Sequence, residues 1–203
     1  MVIVNTVVTV QAKFKLDAQD TALALAFFGG GSMLAALSVP ALLKRFSDRS
    51  LMLSASLLLV LGLLIASQIS ELKQLLVIWA LLGIGYALVQ TPSGRLLTRS
   101  AHHEDRPDLF AAQFSLSHAC WLLAYPLAGW LGVSWEMMNT FLVFALIALL
   151  AAIIGWRLWP ANDLSEIEHC HDELPEGHPH LKEGQRNHKH PYVIDDLHIR
   201  WPR

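Results

Sequence analysis

Five long apolar blocks constrain the fold of this chain more than any other feature of its sequence. They cover residues 21–43, 51–68, 74–91, 109–133 and 135–159, and charged or turn-prone loops separate them. A helix that crosses the hydrocarbon core of a bilayer needs about 20 predominantly apolar residues, and each block is close to that length. The blocks therefore predict five transmembrane helices.

A shorter apolar block, residues 1–12, precedes them. A helix of about eleven residues reaches roughly 16 Å, which is half of the bilayer core. We expect that this block does not cross alone. The predicted fold class is all-α: a polytopic membrane helix bundle with five full transmembrane helices, a partial first helix and a disordered C-terminal tail.

The charge balance changes near residue 160. Residues 1–159 hold ten Lys and Arg and eight Asp and Glu, whereas residues 160–203 hold nine acidic residues, five basic ones and seven of the ten histidines. This shift predicts two parts, a transmembrane helical bundle over 1–159 and a His-rich, largely disordered tail over 160–203. We expect the lipid bilayer and a small solute or metal ion as partners, and no nucleic acid.

The basic residues between the blocks predict the orientation, because cytoplasmic loops collect Lys and Arg. One side of the membrane receives seven of them: Lys44, Arg45, Arg49, Arg95, Arg99, Arg106 and Arg157. The other side receives three: Lys13, Lys15 and Lys73. We therefore expect a multi-pass protein of the inner (plasma) membrane with its C-terminal tail in the cytoplasm.

The apolar blocks differ in character. Residues 51–67 and 141–155 are apolar on all sides, as suits helices that face lipid, while the other blocks carry small or polar residues. Small residues let helix backbones approach closely, and polar ones face a bundle interior or a wet cavity. The pattern predicts inner and outer helices.

This order of polar and apolar blocks resembles the C-terminal half of a major facilitator superfamily transporter, in which helices nine and twelve lie outside the cavity. Residues 83–97 resemble the tenth helix of that family, and residues 40–49 resemble its loop motif Gly-x-x-x-Asp-Arg-x-Gly-Arg-Arg/Lys. Arg45 and Arg49 match the motif. Four positions depart from it: Pro40, Lys44, Ser47 and Asp48.

The resemblance implies that the five blocks are helices eight to twelve and that residues 1–12 belong to helix seven. It implies a truncated or partial secondary-active carrier, with the missing N-terminal half or another subunit as partner. Its function would be to move a small solute, with a metal ion or metal complex as one candidate, and no cofactor would be required. A complete small protein with a re-entrant first segment is the alternative.

His118 is the main candidate for a solute or proton site. It lies roughly 15 Å along its helix, near the membrane midplane, where ionisable groups are rare and often functional. Four uncharged residues are weaker candidates for the same cavity: Gln113, Gln90, Asn5 and Thr9. The alternative is that all five make hydrogen bonds between helices. Since an enzyme would need several such groups at one depth, we predict no enzymatic activity.

Three charged residues of the first cytoplasmic loop, Arg45, Asp48 and Arg49, are candidates for salt bridges that hold one gating state. The alternative is that they act only as topogenic charges that keep the loop inside.

The tail carries His-x-His pairs that suit metal binding, because residues i and i+2 of an extended chain share a face. The candidate ligands are His169, Cys170, His171, His178, His180, His188 and His190, with His198 beyond them. Imidazole suits Ni, Zn, Cu and Co. The alternative is an acidic tail whose histidines only titrate. A tail that binds metal also allows a second function, that of a membrane-anchored metal-binding or sensor protein.

Overall fold

The computed structural model describes residues 2–161, 163, 166–170, 175, 180–181 and 187–199. Five of its helices are long and apolar enough to cross a membrane: α2 (Ala18–Leu42), α3 (Asp48–Ala66), α4 (Leu72–Arg99), α5 (Arg106–Ser134) and α6 (Met137–Leu158). They coincide with the five predicted blocks. The first helix, α1 (Val2–Val7), continues as a π-helical segment (Val8–Lys13), and the two together are too short to span. The predicted fold class is confirmed.

Helix α4 is longer than predicted. The apolar block ends at residue 91 before a Pro-Ser-Gly sequence, but the helix continues through the buried Pro92 to Arg99. Proline is tolerated inside membrane helices where neighbouring groups satisfy the backbone that it frees. The extension brings Arg95 and Arg99 to the tail end of the bundle, where α4 and α6 finish and α3 begins.

Helices α2 and α4 pack with their backbones in close contact. A Cβ atom added to Gly31 would collide with the carbonyl oxygen of Ala80, and one added to Gly83 would collide with the carbonyl oxygen of Phe28. The Ser32 hydroxyl donates a hydrogen bond to the Gly83 carbonyl at 3.0 Å. The small residues of these helices therefore form the tightest interface in the described bundle, as small residues do in membrane helices.

Trp79 holds three helices together in the core. Its indole is fully buried and donates a hydrogen bond from Nε1 to the Thr6 hydroxyl of α1 at 2.7 Å. The same indole meets the ring of Phe141 on α6 edge to face, with centroids 6.0 Å apart. A buried indole needs a partner for its N–H, and here α1 supplies it.

Helix α5 packs less than the other four long helices. In an 18-residue apolar stretch of α5, only 11% is buried, compared with 22% to 39% in the corresponding stretches of the other four helices. Its polar residues predict an inner helix, yet its Leu116, Leu122, Leu123 and Trp130 side chains are exposed. The bundle thus leaves most of α5 without a covering helix.

In the tail, residues Glu166–Cys170 (β1) and Asn187–Pro191 (β2) pair as antiparallel strands, with Ile167 opposite His190. The chain after β2 then runs against the end of α4, because the Ile194 N–H donates to the Arg99 carbonyl at 3.0 Å. This part of the tail is therefore attached to the helix bundle.

Candidate functional site

His118 lies in a row of aromatic side chains along one face of α5. The row consists of Phe114, His118, Trp121 and Tyr125, spaced by four, three and four residues so that they share a face. The His118 ring lies 3.8 Å from Phe114 and 4.8 Å from Trp121 between centroids, and Tyr125 stacks on Trp121. His118 itself is exposed at this surface.

The hydrogen bond of His118 fixes which of its ring nitrogens accepts. Nδ1 lies 2.8 Å from the Phe114 carbonyl oxygen of the previous turn. A carbonyl only accepts hydrogen bonds, so in the neutral ring Nδ1 carries the proton and Nε2 carries the lone pair. Nε2 is therefore the atom that is able to accept a proton or a hydrogen bond from a solute.

Gln113 and Gln90 lie where α5 crosses α4. The Gln113 amide is 3.5 Å from the Ser93 hydroxyl, which in turn donates to the Gln90 carbonyl at 2.6 Å. The Gln90 side chain is exposed. These residues connect the two helices only weakly, since the contact between them is long.

Asn5 of α1 and Thr9 of the π-helical segment that continues it are both fully buried in the bundle. The Thr9 hydroxyl donates to the Asn5 carbonyl at 2.7 Å, but neither atom of the Asn5 side-chain amide has a hydrogen-bond partner in the described structure. Gly132 of α5 lies beside the Asn5 oxygen. Gly132 also lines a cavity of about 390 Å³ that opens between Lys13 and Glu136, at the end of the bundle opposite the tail. The buried amide therefore lies next to a cavity wall.

The five predicted cavity residues thus fall into two groups. Asn5 and Thr9 are buried on α1 and its π-helical continuation, and the other three, His118, Gln113 and Gln90, lie on α4 and α5. Within the described part of the chain, no hydrogen bond joins the two groups, and their shared role in a solute site stays a prediction.

Two of the three predicted gating residues bind neighbouring helices. Asp48, buried at the start of α3, forms a salt bridge to Arg95 of α4 at 3.1 Å. Arg49 donates from its guanidinium to the Trp159 and Trp156 carbonyls at the end of α6, at 3.0 and 3.1 Å. The Arg45 side chain is exposed.

A second salt bridge, which the sequence patterns did not reveal, attaches the tail to α4. The buried Arg99 guanidinium donates to both carboxylate oxygens of Asp163, at 2.8 and 2.6 Å. The Trp159 indole donates to the same carboxylate. Three polar groups from α4, α6 and the tail therefore meet at one point.

The structure brings some of the predicted metal ligands together. His180 and His190 lie with their Nε2 atoms 3.1 Å apart. Cys170 is exposed in β1. His171 and His178 lie outside the described residues, as do the side chains of His169 and His188, whose backbones pair across the two strands.

His198, which lies outside the His-x-His pairs, packs beside His180 and His190. Asp195 holds it there, because its Oδ1 accepts hydrogen bonds from the backbone N–H groups of Leu197 and His198 and from His198 Nδ1 at 2.8 Å. An Asp three residues before a His, in a turn, is the sequence signal that indicates this arrangement.

The same contacts shift two pKa values in the tail. Burial alone would raise the pKa of Asp195, but the hydrogen bonds from the His198 side chain and from two backbone N–H groups outweigh it and lower the pKa. Burial, and then the nearby Asp195 charge, raise the pKa of Tyr192. Asp195 is therefore kept as a carboxylate that holds the His198 ring.

Comparison with known proteins gives one match. The family model described as Major Facilitator Superfamily matches residues 1–178, which include all six helices and β1. A search of curated proteins and a search of solved structures each found no match. The match therefore covers the whole helix bundle and the first part of the tail.

Proposed function

Because this chain belongs to the major facilitator superfamily, whose members are generally transporters rather than enzymes, we propose that it forms one half of a secondary-active carrier. In this proposal, the carrier moves a small solute across the inner (plasma) membrane, and a metal ion or metal complex is the candidate solute. The loop charges favour a cytoplasmic tail.

The exposed face of α5 is the observation that supports a half-carrier best. Of the five long helices, α5 is both the least apolar and the least buried. A helix that faced lipid on most of its surface would be expected to be the most apolar of the set, as α6 is here. The least apolar and least buried helix of the set is thus better suited to a wet cavity and a second helical body than to lipid.

His118 lies on this face, and its chemistry fits a solute path. Its Nε2 lone pair is able to accept a proton or to bind a metal ion. The flanking Phe114 and Trp121 rings hold the imidazole in place. A second six-helix body across from α5 would enclose the site, and rocking of the two bodies would expose it to each side in turn.

Thiol labelling of the α5 face tests this proposal. In a variant with Cys120 and Cys170 replaced by serine, we expect His118→Cys to react with a water-soluble maleimide in native membranes. The matched position is Leu146→Cys on the exposed surface of α6. Since only a hydrated thiolate reacts, the His118→Cys rate should exceed the Leu146→Cys rate by about tenfold or more.

Equal, slow labelling at both positions would contradict the proposal, because α5 would then face lipid as α6 does.

A membrane-anchored metal sensor is the second candidate function, and the attachment of the tail to Arg99 is the observation that favours it. The same labelling distinguishes the two, since helices that only anchor a tail need no water-accessible face.

The buried Asn5 provides a separate test of the cavity. Replacing an unpaired buried amide with an apolar side chain of similar size removes a desolvation penalty, so Asn5→Leu should stabilise the bundle by about 1–3 kcal/mol. If Asn5 serves the solute, the same variant should lose transport of Ni²⁺ or Zn²⁺ into membrane vesicles that also contain the second half of the carrier. Denaturation in detergent and vesicle uptake measure the two effects.

Thr9→Val is the matched control for Asn5→Leu, because the Thr9 hydroxyl already has a partner in the Asn5 carbonyl. It should lower stability slightly, because it removes a satisfied hydrogen bond, whereas Asn5→Leu should raise stability. A loss of stability in Asn5→Leu would show instead that the amide holds helices together.

A further inference from the structure

Three imidazoles converge in the tail from separate places in the sequence. His180 lies between the two strands in sequence, His190 lies in β2, and His198 lies in the turn after β2. One ring nitrogen from each lies within 4.8 Å of the others. The three ring centroids are 4.8 to 5.2 Å apart.

The geometry points to a binding site for one divalent transition-metal ion, formed by His180, His190 and His198. A Zn²⁺ ion binds imidazole nitrogen at about 2.0–2.1 Å, so two nitrogens on one tetrahedral ion lie about 3.3 Å apart. The Nε2 atoms of His180 and His190 are within hydrogen-bond distance at 3.1 Å, which is close to this separation, so an ion would take the place of the proton between them. A small movement of the His198 ring completes the set.

Asp195 prepares His198 for this role. Its carboxylate accepts a hydrogen bond from His198 Nδ1, so the proton of the neutral ring lies on Nδ1 and the lone pair on Nε2. A carboxylate bonded to the far nitrogen of a metal-binding histidine fixes the ring and raises its basicity. His198 is also buried against the Tyr192 ring, which restricts its rotation further.

The site lies next to the helix bundle, although it is separate from the proposed solute path. The segment that carries His198 is bonded to α4 through the Ile194 N–H and the Arg99 carbonyl. An ion that joins His180 and His190 to His198 therefore fixes His180 and β2 relative to the end of α4. Metal binding in the tail would be sensed at the end of a transmembrane helix.

Calorimetric titration of the full-length protein in detergent with Zn²⁺, and separately with Ni²⁺, tests the inference. We expect one tight site per chain and a loss of affinity of about tenfold to a hundredfold in His198→Gln and in Asp195→Asn. His103→Ala is the matched control, because this exposed histidine lies in the α4–α5 loop outside the cluster. The affinity of this variant for the metal ion should equal that of the unaltered protein.

An unchanged affinity in His198→Gln would overturn the three-histidine site and assign any binding to the His-x-His pairs alone. The absence of heat at micromolar ion in the unaltered protein would overturn it as well. Asp195→Asn preserves the shape of the turn, so it remains informative even if His198→Gln disturbs folding. None of these affinity measurements requires transport, so the metal site is tested independently of the carrier proposal.

Discussion

Replacing Gly31 with alanine is expected to push α2 and α4 apart and to lower the free energy of unfolding by about 3 kcal/mol, the upper end for an overpacked core. The added methyl group would lie well inside van der Waals contact of the Ala80 carbonyl oxygen, and a backbone atom has no alternative rotamer. Gly83→Ala should have a similar effect, because its methyl group would meet the Phe28 carbonyl. Unfolding in mixed detergent micelles, followed by circular dichroism, measures the change.

Gly30→Ala is the matched control, since a Cβ atom at that position meets nothing within 4 Å. Here only helix propensity changes, and alanine should stabilise the helix by up to about 1 kcal/mol. Equal effects of alanine at positions 30 and 31 would show that the two helices do not pack as closely as the structure indicates.

Replacing Arg99 with methionine is expected to release the tail from the bundle. The guanidinium and the Asp163 carboxylate are both largely buried, and removing one partner of a buried ion pair costs about 3–5 kcal/mol because the other charge is left unpaired. Hydrogen exchange at the Ile194 amide should accelerate, although the Arg99 backbone carbonyl that accepts its hydrogen bond is still present.

Arg95→Met serves as the comparison, because it removes a charge one turn earlier on α4 and breaks the bridge to Asp48 instead. It should leave exchange at Ile194 unchanged. The double variant Arg99→Met with Asp163→Leu should recover part of the lost docking energy, since no unpaired charge remains. If Arg99→Met leaves the exchange rate at Ile194 as it was, the Arg99–Asp163 pair does not hold the tail.

The transmembrane spans were predictable because each depends only on the length and composition of one continuous stretch of sequence. A helix in lipid must satisfy its own backbone and match the bilayer thickness, so the length of each apolar block indicates α2 to α6 directly. The end of α4 was less predictable. Pro92 stops many helices in water, and only the tertiary surroundings reveal that this helix continues to Arg99.

The candidate sites were predictable only in part, because they depend on contacts between distant residues. The depth of His118 follows from its place in the block, but its aromatic neighbours depend on the helical face, and the exposure of α5 depends on how the bundle packs. The metal cluster illustrates the limit. The His-x-His spacing indicates His180 and His190 as ligands, whereas His198 joins them only through the pairing of β2 and the turn at Asp195.

The first turn of α3 has a mechanical consequence for any transport cycle. Its neighbouring residues Asp48 and Arg49 reach in two directions, one to the Arg95 side chain of α4 and the other to the terminal carbonyls of α6. Neither helix is able to slide or tilt against α3 at this end without breaking an ionic or charge-assisted bond. In a rocking motion, α3, α4 and α6 would therefore move together as one rigid unit. Helix α5, which has no such ionic contact to α3 in the described structure, would be the helix that is able to change its angle relative to that unit.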